Sequence, residues 1–275
     1  MINEPLKPGY LLRNRYAITH RRAISGVGAL YQARDLQAPA PDRRLCAVKE
    51  SVLDAPTPQG HLEAVDDFIR RSKRLAELSH PAIPAVYDYF VEGDCSYLVT
   101  EFIQGEDLED LLSNGNGLAA PLIHRWALDL CDVLHYLHTR PTPIIYRDLK
   151  PSNVMIDERS RVVLIDFGIA AWLDDKRHRI PLGTDGYAAP EQYWGELSPG
   201  IDVYGLGATL HHLLTGSDPR LEPPFTFALR PVRKLNPAVP EPFAAAVMRA
   251  VERDPWKRFG SMVDMKQALE QVTWA

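Results

Sequence analysis

The sequence has few cysteines, no long apolar run and little excess of charge of either sign. Three cysteines, Cys46, Cys95 and Cys131, are too few and odd in number for a disulfide framework, so we expect a reducing compartment, the cytoplasm. No uncharged apolar run approaches the roughly 18 residues that a membrane helix needs, and the start of the chain lacks the pattern of a secretory signal. The 31 basic and 36 acidic residues give a net charge of −5, so the protein has no overall positive charge that would attract nucleic acid or a membrane surface. These absences predict an intracellular globular protein without a nucleic-acid partner or a membrane span.

The first hundred residues predict a strand-rich region with a single helix. Strands are indicated where β-branched, aromatic and other apolar residues cluster between loops. The predicted strands are Tyr16–Thr19, Gly28–Arg34, Leu45–Val52, Ala85–Val91 and Ser96–Thr100. Prolines break the stretches Leu36–Arg44 and Asp54–Gly60, which are therefore predicted to be loops. Apolar residues three and four positions apart predict one helix over His61–Leu78.

After Gly105 the pattern changes to one that is typical of helices. The predicted helices are Leu118–Thr139, Gly200–Thr215, Glu241–Glu252 and Ser261–Val272. A β-hairpin is predicted before the second of them, with strands at Asn153–Ile156 and Val162–Ile165. A small strand-rich lobe therefore precedes a larger helical lobe, with a hinge near Glu101–Gly105. Clefts between lobes are common ligand sites.

The residues with the clearest chemistry lie between positions 145 and 168, in IYRDLKPSNVMIDERSRVVLIDFG. Asp148 lies five residues before Asn153, and Asp166 follows thirteen residues after that. The predicted hairpin brings Asn153 and Asp166 together as two oxygen ligands, which suits Mg²⁺ when substrate phosphates complete its shell. Asp148 is then left to accept a hydroxyl proton, and Lys150 to neutralise charge on a moving phosphoryl group.

This ordered set resembles the catalytic loop and the DFG motif of a eukaryotic-type (Hanks-type) serine/threonine protein kinase domain of the bacterial style. The resemblance covers Tyr10 to Trp274, with Tyr146 where most members have histidine. It implies a two-lobed α+β fold, with an N-lobe over residues 1–104 (tail 1–9) and a C-lobe over residues 105–275. The N-lobe would be an antiparallel sheet with one helix, and the C-lobe mainly helical. The implied cofactors are ATP and Mg²⁺, and the implied partner is a protein substrate.

The resemblance also implies an ATP site. Lys49 in CAVK matches the lysine that binds the α- and β-phosphates, and Asp107 would lie near the ribose. Glu101 and Ile103 would offer backbone groups to adenine, with Thr100 as a small gatekeeper. The other residues implied to contact ATP are Leu30, Ala47 and Met155 around the purine and Gly28 in the phosphate-covering loop.

Further residues are implied to have structural or regulatory roles. Thr184 in GTDGY, together with Lys150, implies specificity for Ser or Thr rather than Tyr. Glu191 in the APE motif would pair with Arg258 in DPWKRF. Asp202 would hold the backbone of the catalytic loop.

The segment after DFG carries no usual phosphate acceptor. Family members often use the arginine before the catalytic aspartate, here Arg147, to bind a phosphate on this segment. From Ile169 to Gly183 the sequence contains no Ser, Thr or Tyr. We therefore hypothesise that Asp174 or Asp175 supplies a permanent negative charge for Arg147.

Two departures from the family pattern lie in the first hundred residues. In AISGVGALY only Gly28 is in register with the glycine-rich loop, and Ala23 and Ser25 replace glycines. Backbone amides approach phosphates most closely where no Cβ intervenes, so we expect weaker ATP binding. Arg71 stands where the family has the glutamate that pairs with Lys49. Two like charges at ~4 Å repel by about 4 kcal/mol at an effective dielectric near 20, so a lower rate is expected.

The residues leave three functions open. A kinase is favoured by the complete set of Asp148, Lys150, Asn153 and Asp166. A pseudokinase that binds nucleotide or a partner protein as a scaffold is favoured by Arg71 and the altered glycine-rich loop. Phosphorylation of a small molecule is disfavoured, because the segment 183–191 resembles a platform for protein substrates. Since the sequence shows no sensor segment, regulation is expected to come from a protein partner or to be absent.

Overall fold

The computed structural model describes residues 5–25, 28–39, 44–53, 55, 57–115, 117–174 and 182–274. The chain divides after Gln104 into two compact units, residues 1–104 and 105–275. We call them the N-terminal unit and the C-terminal unit. In the described ranges, no helix is both long enough and apolar enough to cross a membrane.

The N-terminal unit is built on an antiparallel sheet of six strands with the order β1-β2-β3-β4-β6-β5. The strands are β1 (Leu11–Leu12), β2 (Tyr16–Ser25), β3 (Gly28–Asp35), β4 (Leu45–Val52), β5 (Val86–Glu92) and β6 (Cys95–Glu101). Between β4 and β5 lies the helix α1 (Pro58–Ala76). It begins three residues before the predicted start because Thr57 caps it, accepting a hydrogen bond from the Gly60 N–H at 3.0 Å, and Pro58 suits the first turn.

A buried carboxylate lies in the core of the N-terminal unit. Glu50 on β4 is only 7% exposed. The hydroxyl of Tyr31 donates to Glu50 Oε2 at 2.7 Å, and the hydroxyl of Tyr97 donates to Oε1 at 2.8 Å. Burial and the bond to Glu50 raise the pKa of Tyr31 to about 12, so it remains a donor at neutral pH. These two bonds tie β3 and β6 to the central strand β4.

The C-terminal unit is mainly helical. Its short strands are β7 (Gly105–Asp107), β8 (Ile144–Ile145), β9 (Val154–Asp157), β10 (Val162–Leu164) and β11 (Ala171–Trp172). Its helices are α2 (Leu108–Ser113), α3 (Ala120–His138), α4 (Pro199–Thr215), α5 (Val232–Leu235), α6 (Glu241–Ala250) and α7 (Met262–Glu270). The pair β9–β10 is the predicted hairpin, and β7 extends it to three strands in the order β10-β9-β7. The sequence did not predict β7 or α2, which are short.

Helix α4 lies in the core of the C-terminal unit and is buried on all sides from Ile201 to Leu214. Gly207 allows it to approach α6, because a Cβ there would lie 2.6 Å from the Cβ of Ala250. A second face contacts the segment of the predicted catalytic loop: a Cβ at Gly205 would lie 3.3 Å from that of Leu149. Thr209 donates to the carbonyl of Leu149 at 3.2 Å. The buried helix therefore supports the loop that carries Asp148.

Candidate active site

Three predicted site residues are joined by hydrogen bonds in the C-terminal unit. The hydroxyl of Thr184 donates to Asp148 Oδ1 at 2.7 Å and accepts from Lys150 Nζ at 2.8 Å. Lys150 Nζ also lies 3.0 Å from Asp148 Oδ2. All three side chains are partly exposed. A hydroxyl is thus held between a carboxylate that can accept its proton and a cation that can stabilise negative charge.

The predicted metal ligands, Asn153 and Asp166, flank the hairpin at its open end, where the N–H of Ile165 donates to the carbonyl of Asn153 at 3.0 Å. The side-chain amide of Asn153 donates to the backbone carbonyl of Asp148 and to Asp148 Oδ2, both at 2.9 Å. The amide oxygen is therefore the end of this side chain that remains to bind a metal ion. Asp166 has a φ of 59°, a backbone conformation that non-glycine residues rarely adopt. Its Oδ1 accepts a hydrogen bond from the Gly168 N–H at 2.9 Å, which orients the carboxylate.

Asp202 on α4 holds the backbone that leads into Asp148. It accepts hydrogen bonds from the backbone N–H groups of Tyr146 and Arg147, each at 2.8 Å. Arg147 has a φ of 71°, a strained conformation that these bonds help to maintain. His138 at the end of α3 also donates from Nε2 to Asp202 at 2.8 Å. This role of His138 was not predicted, because the sequence indicates only that the residue lies on a helix.

Tyr146 connects the catalytic loop to the segment that carries Asp166. It is fully buried, and burial raises the pKa of its phenol well above the usual value. Its hydroxyl donates to the backbone carbonyl of Ile165, next to Asp166. Its ring meets the ring of Phe167 edge-on, with the centroids 5.2 Å apart. A tyrosine at this position therefore makes both a polar and an aromatic contact to the DFG segment.

Glu191 and Arg258 form a buried ion pair below the segment that carries Thr184. Two parallel hydrogen bonds of 2.6 and 2.9 Å join the guanidinium to the carboxylate. Arg258 also donates to the carbonyl of Gly200 at the start of α4. The neighbouring Gln192 donates to the carbonyls of Arg147 and Leu182. Nothing in the local sequence around Gln192 indicates these two contacts, which join it to backbone 45 residues and 10 residues away.

In the N-terminal unit, strand register brings several residues of the predicted ATP site to one face of the sheet. Lys49 pairs with Leu30 on β3, and Ala47 pairs with Thr100 on β6. Directly paired residues share a face, as do residues two apart on a strand. These four side chains therefore share one face of the sheet. The N–H of Glu101 donates to the carbonyl of Ala85 at 2.8 Å, and Ile103 follows the end of β6.

The structure gives Gly28 a packing role. A Cβ at this position would lie 2.0 Å from the backbone oxygen of Glu50 on β4, so only glycine fits this close approach of the two strands. Ala23 and Ser25 lie in β2, opposite Leu30 and Gly28. Gly26 and Val27, the remainder of the predicted phosphate loop, lie outside the described residues.

Asp107 and Met155 are neighbours in the C-terminal unit, where they pair across β7 and β9. Asp107 caps α2, since its Oδ1 accepts from the N–H groups of Glu109 and Asp110 at 2.9 Å. Burial raises the pKa of its carboxyl group. The side chain predicted to lie near a ribose thus also has a structural role at this helix start.

Arg71 lies on α1 and is partly buried, next to the buried Ser72. Asp67, one turn earlier, forms an ion pair with Arg70. The position that carries a glutamate in the family pattern is therefore held by an arginine that directly follows an ion-paired arginine on the same helix. Asp174 is described, whereas Asp175, the other residue suggested as a partner of Arg147, lies outside the described residues.

Comparisons with known proteins agree with this arrangement. A family model described as the protein kinase domain matches residues 27–228. The chain is 34% identical over 283 residues to serine/threonine-protein kinase C of a Synechocystis species, covering 97% of this chain and 51% of that protein. It is 32% identical over 281 residues to the serine/threonine-protein kinase PknB of Mycolicibacterium smegmatis, covering 95% of this chain and 43% of the relative. The chain thus spans about half the length of these relatives, or less.

Solved structures show the same fold. The apo form of PpkA-294 is 24% identical, with a TM-score of 0.78 and coverage of 96% of this chain and 99% of that one. The kinase domain of Mycobacterium tuberculosis PknI is 24% identical, with a TM-score of 0.72 and coverage of 97% and 99%. The predicted α+β kinase fold, with an antiparallel sheet followed by a mainly helical part, is confirmed. The chain therefore belongs to the protein kinase domain family, among the bacterial Hanks-type serine/threonine kinases.

Proposed function

We propose that this domain is an ATP-dependent serine/threonine protein kinase, which transfers the γ-phosphoryl group of ATP to a Ser or Thr hydroxyl of a protein. The observation that carries the proposal is the hydroxyl of Thr184, which donates to Asp148 and accepts from Lys150. A substrate hydroxyl placed in the same way would direct its proton at a carboxylate and its oxygen toward a cation. Positioning and electrostatic stabilisation of this kind supply most of the catalysis in phosphoryl transfer.

Each catalytic group has one task in this proposal. Asp148 orients the substrate hydroxyl and accepts its proton as the oxygen attacks the γ-phosphorus. Lys150 offsets negative charge on the phosphoryl group in transit. Asp202 and Asn153 act through Asp148: the first holds the backbone before it, and the second donates to its carboxylate. The first bond fixes the backbone before Asp148, and the second restricts rotation of the Asp148 side chain before substrate binds.

Mg²⁺ would be held by Asn153 and Asp166. The donor set fits, because an amide oxygen and a carboxylate are hard oxygen ligands and Mg²⁺ is usually bound by few protein groups plus phosphates. The amide of Asn153 is oriented by its NH₂ group, which donates to Asp148. When bound, the ion would neutralise negative charge on the β- and γ-phosphates.

ATP would contact the face of the N-terminal sheet that carries Leu30, Ala47, Lys49 and Thr100, with Lys49 as the phosphate ligand. The shared face of these side chains in the sheet register supports this assignment. Arg71 occupies the position of the glutamate that pairs with the strand lysine in the family, and we propose that this replacement lowers the rate. The thiols of Cys46, Cys95 and Cys131 are buried, which suits a reducing compartment, and we propose the cytoplasm. A regulatory protein partner is part of the proposal, because residues 169–183 contain no Ser, Thr or Tyr through which phosphorylation could switch this segment.

The proposal is tested by incubating the purified chain with radiolabelled Mg·ATP and a generic basic protein substrate. We expect slow incorporation of phosphate by the wild-type chain and a reduction of about 10²-fold or more in Asp148→Asn, since the general base is lost. Arg71→Glu should raise the rate several-fold, because it restores the carboxylate that the family places beside the strand lysine.

A thermal-shift titration with Mg·ATP separates binding from turnover. Incorporation no higher than that of Asp148→Asn, together with a nucleotide-dependent shift, would refute the kinase and favour a nucleotide-binding scaffold. The scaffold is the second candidate because Arg71 replaces the glutamate. A control variant, Asp94→Asn, makes the same chemical change at an exposed turn of the N-terminal unit and should retain the wild-type rate.

A further inference from the structure

We propose that Asp185 makes this domain select substrates with a lysine or arginine close to the Ser or Thr that is phosphorylated. The inference rests on the proposed kinase function and names a class of substrate for the same site. Asp185 directly follows Thr184, whose hydroxyl is hydrogen-bonded to Asp148. A substrate hydroxyl must approach the same carboxylate. Because one residue spans at most about 3.3–3.6 Å of chain, the residues flanking that hydroxyl pass within reach of Asp185.

The charge of Asp185 is exposed and oriented. The hydroxyl of Tyr193 donates to Asp185 Oδ1 at 2.7 Å. Burial and this hydrogen bond raise the pKa of Tyr193 to about 12, so the phenol is a neutral donor at physiological pH. Asp185 itself is exposed. Among the described residues, the hydrogen-bond partner of the Asp185 side chain is this neutral phenol. A neutral donor does not offset the negative charge of the carboxylate.

The exposed Tyr193 contacts this carboxylate through its hydroxyl, and the next residue in the sequence, Trp194, is also exposed. Tyr193 is 41% exposed and the adjacent Trp194 is 82% exposed. A tryptophan face attracts lysine and arginine side chains, and an exposed cation–π contact contributes about 0.5–1 kcal/mol. The ring of Tyr193 meets Phe225 edge-on, with centroids 5.8 Å apart, and Arg253 lies over the Phe225 ring. In the described structure, contacts therefore run from Arg253 through the rings of Phe225 and Tyr193 to Asp185.

Two other cations near this segment are already paired. Lys150, which donates to Thr184, lies 3.0 Å from Asp148 Oδ2. The backbone of Pro219 packs closely on Gly186, where an added Cβ would lie 2.6 Å from the carbonyl carbon of Pro219. The guanidinium of the following Arg220 contacts Asp218 at 2.7 Å and Glu109 at 2.5 Å. One positive charge therefore faces two carboxylates. The surface around residues 184–187 consequently presents a negative charge next to an exposed aromatic ring, which suits a basic side chain.

The test is a positional-scanning peptide library with a fixed central Ser or Thr and Lys, Ala or Glu fixed in turn at each of the two positions on either side. The quantity measured is the ratio of kcat/KM for Lys over Glu with Mg·ATP. At one or more of these positions we expect the wild-type chain to prefer Lys by about fivefold, or ~1 kcal/mol. The preference should fall with added salt because the attraction is electrostatic and exposed.

Two variants and one control isolate Asp185. Asp185→Asn keeps an acceptor for Tyr193 but removes the charge, and the Lys/Glu ratio should fall to about one. Asp185→Lys should invert the ratio, and because its effect is opposite in sign it cannot be mistaken for poor folding. Asp94→Asn should retain the wild-type ratio.

The possible failures are distinguishable. Phosphorylation without a preference for Lys, or a preference that persists in Asp185→Asn, overturns the role of Asp185 and leaves the kinase function intact. Incorporation equal to that of Asp148→Asn for every peptide and for the basic protein substrate overturns both proposals.

Discussion

Glu50, the buried carboxylate next to Lys49 in the N-terminal unit, is held differently from Glu191 and Asp202 in the C-terminal unit. Asp35, also buried in the N-terminal unit, is bound by the guanidinium of Arg15 at 2.8 Å. In the C-terminal unit, Glu191 is bound by the guanidinium of Arg258 and Asp202 by two backbone N–H groups and His138. In the N-terminal unit, Glu50 is bound by the hydroxyls of two tyrosines, which carry no charge. The first arrangement connects loops around the candidate catalytic residues. The second connects neighbouring strands of one sheet.

This difference parallels the distribution of family motifs. The residues proposed for chemistry in the C-terminal unit contact one another directly, as in the hydrogen bonds among Asp148, Lys150 and Thr184. The two departures expected to weaken ATP binding or lower the rate, the altered glycine-rich loop and Arg71, lie in the N-terminal unit, whereas Tyr146, in the place of the family histidine, lies in the C-terminal unit. Residues that hold one another in position tolerate little substitution, because the loss of one leaves its partner unsatisfied. A sheet face set by backbone register depends less on any one side chain.

The largest expected effect is the loss of the buried ion pair in the C-terminal unit. Arg258→Ala leaves Glu191 buried without its cation and should lower the free energy of unfolding by about 3–5 kcal/mol. Urea denaturation followed by far-UV circular dichroism measures this change. The matched control is Arg233→Ala, which removes an exposed ion pair with Glu241 and should cost about 0–1 kcal/mol. Equal effects of the two variants would contradict the view that burial makes the Glu191 pair critical.

A smaller effect is expected from the tyrosine bonds in the N-terminal unit. Tyr97→Phe removes one hydroxyl from Glu50 and should cost about 1.5–3 kcal/mol, the range for hydrogen bonds to a charged group. The same urea measurement applies. Tyr89→Phe, on neighbouring β5, is the control, since no hydrogen bond of its hydroxyl is recorded within the described ranges. A Tyr97→Phe variant as stable as Tyr89→Phe would show that Glu50 does not depend on this bond.

The smallest effect is a pH dependence that belongs to the C-terminal unit. Burial lowers the pKa of His211 and of His212 on α4. His212 Nδ1 lies 2.7 Å from the hydroxyl of Tyr187, and His211 Nε2 donates to the carbonyl of Arg230. The unfolded chain binds protons on these rings more readily than the folded chain. Stability is therefore complete above the unfolded pKa near 6.5 and falls as the pH decreases below it.

The free energy of unfolding should change by at most about 1.4 kcal/mol per pH unit for each histidine. Urea denaturation at pH 7.5, 6.5 and 5.5 measures it. A double variant, His211→Asn with His212→Gln, should show a shallower slope than the wild type. Because Asp218 and Glu109 raise the pKa of His212 while Arg220 lowers it, high salt should change the slope only slightly. A slope unchanged by the double variant would assign the pH dependence to other groups.

Much of the fold was predictable because its signals are local. The helix over 118–139, the hairpin at 153–165 and the strands near Lys49 follow from hydrophobic periodicity and turn residues. The short elements β1, β7 and α2 were not predicted, because two to six residues are too few to show a period. Site roles taken from motifs, such as those of Asp148 and Asn153, depend on order and spacing along the chain. They stay predictions about chemistry until activity is measured.

The sequence by itself determined which chemical groups are available and in what order, since DFG, APE and the catalytic-loop motif are read directly from residue identities. Only the tertiary structure decided what each group contacts. It placed His138 on Asp202, Gln192 between two backbone segments, and two tyrosines on Glu50. His138 and Asp202 are 64 residues apart in the sequence, and Gln192 and Arg147 are 45 residues apart. Such contacts depend on how separate elements pack, and local sequence patterns do not encode packing between distant segments.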